Sequence, residues 1–80
     1  MTPGKRAGLP AEALHRALSR ARLRYGLAWD ELAERLDISF RALISLMSAT
    51  TVTPVVADRM AVRLGLHPVL LWPDEWVAAA

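Results

Sequence analysis

The segment WDELAERLDISFRALISLM, residues 29–47, carries its large apolar residues at Leu32, Leu36, Ile38, Leu43 and Leu46, at steps of four, two, five and three. Two short helices joined by a tight turn satisfy that spacing. Leu32 and Leu36 line the first helix, Ile38 plugs the turn, and Leu43 and Leu46 line the second. Small Ala33 lets the helices approach closely. The first helix spans about Trp29 to Leu36, with Asp30 and Glu31 at its start, where acidic side chains favour a helix dipole. Asp37 ends it, since Asp tolerates a left-handed backbone better than most residues. Ser39 then caps a helix running from Phe40 to about Met47.

Upstream, Pro10 suits a first helical position, and Leu14, Ala17, Leu18, Ala21 and Tyr25 recur at three-or-four spacing until Gly26. Downstream, Thr53 before Pro54 is a helix start, followed by Val56, Ala57, Met60, Ala61 and Leu64 on an inward face and a stop at Gly65. His67 and Pro68 open a last short helix that leads through Leu71 to Trp72. Residues 1–8, MTPGKRAG, read as a flexible basic arm carrying Lys5 and Arg6. Residues 9–76 form one domain and 77–80 a tail. The expected class is all-α, five short helices, with no strand-like alternation longer than a few residues.

With 80 residues, 54% hydrophobic and 22% charged, the chain is one small domain rather than a disordered tail or a multi-domain enzyme. A chain this short buries only about 60–65% of its unfolded surface, so its apolar residues must be well placed. There is no cysteine to staple it. No apolar run approaches the roughly eighteen residues of a membrane span, and no signal peptide is legible, so the expectation is a soluble, cytoplasmic protein without a membrane partner. The net charge of +2 hides segregation: residues 1–24 set Lys5, Arg6, Arg16, Arg20, Arg22 and Arg24 against Glu12, whereas residues 25–39 set Asp30, Glu31, Glu34 and Asp37 against Arg35. A basic arm and first helix of this kind point to nucleic acid.

The basic first helix, the segment YGLAWDELAERLDIS, the slot FRALISLM and the closing VVADRMAVRLGLHPVLLW together resemble the lambda-repressor-like, Cro-type helix-turn-helix domains of phage repressors and bacterial regulators, over about residues 9–72. The resemblance implies a sequence-specific regulator of transcription that binds double-stranded DNA, in the bacterial cytoplasm at the nucleoid, with its third helix in the major groove. It departs from the family pattern at Ala28 and Trp29, where a hydroxyl cap and a glutamine are usual, and at Asp37, where glycine is common.

Carried onto this chain, the groove-facing positions are Ser39, Phe40, Arg41, Ile44, Ser45 and Ser48. Arg41 can bridge the two acceptors of a guanine edge, and Phe40 and Ile44 can meet thymine methyls. Phosphate contacts fall to Arg16, Arg20, Arg22, Trp29, Thr50 and Thr51, and the arm with Lys5 and Arg6 can follow a groove. Because a monomer reads only a few base pairs, a homodimer through Val69, Leu70, Leu71, Trp72 and Trp76 is expected. By themselves Trp72 and Trp76 read first as core cover, with aromatic anchors of a dimer interface as the alternative. The apolar character of the third helix, which holds one charge, keeps open a protein-interaction module such as an antitoxin, an anti-repressor or a phage-complex subunit. His15 and His67 lie far apart without cysteine companions, and no catalytic constellation or phosphate loop is legible. No enzyme activity, metal or cofactor is expected.

Overall fold

The structure, a computed structural model, describes residues 8–76. The arm with Lys5 and Arg6 and the tail 77–80 lie outside the described residues. Within them a short strand β1 (Leu9–Pro10) precedes helices α1 (Glu12–Tyr25), α2 (Trp29–Arg35) and α3 (Phe40–Ser48). Strand β2 (Thr51–Val52), α4 (Pro54–Arg63) and α5 (Pro68–Leu71) follow. The chain is mostly helical.

Pro10 does not start α1. It sits in β1, which pairs antiparallel with β2 in the register Leu9 with Val52 and Pro10 with Thr51. A two-stranded pair has edges on both sides, so a residue without an N–H is tolerated there. The pair continues into Ala11, whose N–H donates to the Thr50 carbonyl at 3.0 Å. Leu9 and Val52 are both buried, so this small sheet is part of the core.

Three helices end in the same way. Gly26, Asp37 and Gly65 hold φ of 64°, 59° and 77°, and in each case the next residue's N–H reaches back to a carbonyl five positions upstream. The bonds are Leu27 to Arg22 at 2.9 Å, Ile38 to Ala33 at 3.0 Å and Leu66 to Ala61 at 2.8 Å. This closure satisfies carbonyls that a helix end leaves unpaired. Asp37 performs at the end of α2 what glycine performs at the other two.

The starts are equally local. Ser39 Oγ accepts the Ala42 N–H at 3.0 Å, Thr53 Oγ1 accepts the Val56 N–H at 3.3 Å, and His67 Nδ1 accepts the Val69 N–H at 3.1 Å. Ala28 offers α2 no side-chain acceptor, yet the Glu31 carboxylate takes the Ala28 N–H at 2.7 Å. Half of a capping box survives without the hydroxyl.

Leu14 and Leu18 of α1, Leu32 and Ala33 of α2, and Leu43 of α3 meet Ala57 and Met60 of α4 in one core. Trp72 completes it. Its ring is 1% exposed and its indole N–H donates to the Pro10 carbonyl at 2.7 Å, tying the segment after α5 to β1. Trp72 therefore belongs to the core and is withdrawn from the surface expected to join two copies. Of that set, Leu70 is open to water, while Val69, Leu71 and Trp76 are half-buried.

Candidate nucleic-acid interface

The position of α3 is fixed at both ends and along its back. Leu43 is fully buried, and Leu46 and Met47 are half-buried against the core. At the start, Arg63 from the end of α4 donates through Nη1 to the carbonyls of Leu36 and Asp37 at 3.1 and 3.0 Å. At the other end, His15 Nε2 lies 2.7 Å from the Leu46 carbonyl. A carbonyl only accepts, so that nitrogen carries the proton. Neither tie was legible beforehand: a basic residue in a last helical turn reads as a partner for its own helix dipole, and a lone histidine on α1 gives no hint of a carbonyl on α3.

What remains of α3 faces water. Ser39, Phe40, Arg41, Ile44, Ser45 and Ser48 are all exposed, Phe40 at 50% and Ile44 at 43%. Arg41, Ile44, Ser45 and Ser48 follow at offsets of three, four and seven, so they share one helix face. Among the described residues Arg41 is in no ion pair. Ser39 Oγ accepts the capping bond and keeps its hydroxyl proton to donate outward, whereas Ser48 Oγ already donates to the Ile44 carbonyl at 2.9 Å. This surface can present one guanidinium, two apolar groups and hydroxyls to a partner. It holds no acid–base pair for chemistry.

The six expected phosphate contacts do not form one set. Arg22 stacks its guanidinium over Trp29, 5.0 Å from the ring centroid, and donates to the Leu27 carbonyl at 3.3 Å. Its Nε is buried without a hydrogen-bond partner. Arg22 and Trp29 thus brace the α1–α2 junction together. Arg16 and Arg20 lie elsewhere on α1, beside a groove shared with Leu66 and Leu70, and Arg16 pairs with Glu12 at 3.3 Å. Thr50 and Thr51 are exposed just beyond α3. The start of α2 is partly engaged by its own carboxylates, since Glu31 takes the Ala28 N–H and Asp30 Oδ1 takes the Glu31 N–H at 3.0 Å. An approaching phosphate meets negative charge there.

Among the described residues no group of three or more histidines, cysteines and carboxylates is placed to hold a metal ion, and no helix is long and apolar enough to cross a membrane. Comparison with protein-family models, curated proteins and solved structures finds no match to this chain.

Proposed function

We infer that the chain is a sequence-specific double-stranded DNA-binding regulator of transcription, with α2 and α3 as the two helices of a lambda-repressor-like helix-turn-helix and α3 as the element entering the major groove. The observation that carries this reading is the exposed side of α3. Every position that the resemblance assigns to base contact is open to water, while the opposite side is packed into the core.

Arg41 supplies the bidentate donor for guanine, and Phe40 and Ile44 supply apolar contact for thymine methyls. Thr50, Thr51 and Ser39 donate to phosphate oxygens and set the register without reading sequence. Binding to random duplex DNA followed by fluorescence anisotropy tests this. Affinity is expected to fall as salt rises from about 50 to 200 mM, by an amount set by how many phosphates lysine and arginine side chains neutralise.

A second reading is favoured by the exposure of Phe40 and Ile44, which are large apolar groups on a helix with a single charge. In it, the same face of α3 docks on a protein. Absence of duplex binding at about 50 mM salt selects this reading over the first.

A further inference from the structure

Along α1, Arg16, Arg20 and Arg24 recur at every fourth residue, and Ala13, Ala17 and Ala21 run beside them at the same interval. Leu64, Leu66, Leu70 and Leu71 stand across from them, and an open groove of about 410 Å³ separates the two rows. Leu70 is 66% exposed at its edge. Arg16 is paired with Glu12, but among the described residues Arg20 and Arg24 have no acidic partner.

We propose that this groove docks one amphipathic helix of a partner protein, leucine-rich on the face it buries and acidic along the flank that meets α1. The alanines are small enough for a helix backbone to come close, and the leucines offer apolar contact to the anchor residues of the docked helix. The arginine row extends over about 12 Å, a little more than two helical turns, which matches carboxylates at every fourth position of the docked helix. A phosphate backbone would satisfy the arginines and leave Leu66 and Leu70 uncovered. An acidic helix satisfies both rows.

A second copy of this chain fits less well. A two-fold pairing brings the same patch from both copies together, so two sets of Arg16, Arg20 and Arg24 would share one interface. Like charges facing each other oppose association. Leu70 and Leu71, expected to join two copies, are assigned instead to an acidic partner. His15 and Arg22, on another side of α1, are the residues bonded toward α3 and α2, so the docked helix leaves the exposed face of α3 free. The proposal stands whether or not α3 binds DNA.

The test uses a synthetic amphipathic peptide of about sixteen residues, leucine at helical anchor spacing with glutamate on its flanks, and a copy with lysine for glutamate. Both are titrated into the full chain and followed by backbone amide chemical shifts. The glutamate peptide is expected to bind with shifts confined to Ala13–Tyr25 and Leu64–Leu71. The lysine peptide is expected not to bind. Arg20→Glu combined with Arg24→Glu, and separately Leu70→Asp, should each weaken binding about tenfold or more while leaving the far-ultraviolet circular dichroism unchanged. The proposal is overturned if the glutamate peptide fails to bind at about 1 mM, if its shifts fall on Phe40–Ser48, or if the lysine peptide binds equally well. It is also overturned if the arginine reversals abolish duplex DNA binding but not peptide binding, or if sedimentation of the free chain shows a dimer that Leu70→Asp dissociates.

Discussion

The Arg63 guanidinium stands 3.0 Å from the Asp37 carbonyl, so the last turn of α4 holds the left-handed residue that sets α3 at its angle to α2. The same nitrogen reaches the Leu36 carbonyl at 3.1 Å, which makes Arg63 a clamp on the whole turn. Arg63→Met keeps the aliphatic stem and removes the donor. It is expected to cost about 1 kcal/mol, less than the roughly 1.5–3 kcal/mol of a bond involving a charged group, because Arg63 is exposed and water competes for its donor. In a domain of this size that loss lowers the thermal midpoint by about 4–8 °C. A midpoint unchanged by Arg63→Met would mean that the clamp contributes nothing.

Backbone conformation at Asp37 gives a second test. A β-branched residue is poorly suited to φ near 59°, whereas glycine is at ease there. Asp37→Val is expected to destabilise by about 1–2 kcal/mol, and Asp37→Gly to be neutral or stabilising. Urea denaturation of the two variants measures the difference. Equal midpoints would show that the turn is not held in this conformation.

The burial of Trp72 separates core from interface. Trp72→Ala removes a fully packed ring and should cost about 3–5 kcal/mol, a large share of the stability of so small a domain. Trp72→Phe loses the bond to the Pro10 carbonyl and is expected to be milder. In the unaltered chain the unfolding midpoint should not change across a hundredfold range of protein concentration. A midpoint that climbs with concentration in the unaltered chain but not in Trp72→Ala would place the ring between two copies.

Much of the fold was legible because its signals are local. Gly26, Gly65, Ser39 and the Thr53–Pro54 pair each act within one turn, and Asp37 stands in the left-handed conformation that its position suggested. Pro10 misled for a local reason as well: a residue without an N–H suits both a first helical position and a strand edge, and only Val52 and Thr51, distant in sequence, decide between them. The exposed face of α3 follows from its periodicity. The division of the α1 arginines does not, because Arg22 finds Trp29 and Arg16 and Arg20 border Leu66 and Leu70 only after α2 and α5 have packed.

Phe40 and Ile44 distinguish DNA reading from protein docking by α3. Phe40→Ser with Ile44→Ser should barely change stability, since both side chains are about half exposed. On duplex DNA the double variant is expected to lose about 1 kcal/mol of preference at each contacted thymine, the order of one buried methyl group, while keeping its salt dependence. If salt dependence disappears with it, the apolar pair is holding the surface rather than reading it.

Selection of bound sequences from a random duplex pool, run in parallel for the chain and for Arg41→Ala, tests DNA reading by α3 most directly. The unaltered chain is expected to enrich a short motif containing guanine, and Arg41→Ala to retain the motif but relax it at that base by about 1–3 kcal/mol. No enrichment by the unaltered chain, or identical motifs from the two proteins, would contradict the assignment of α3 and Arg41 to the major groove.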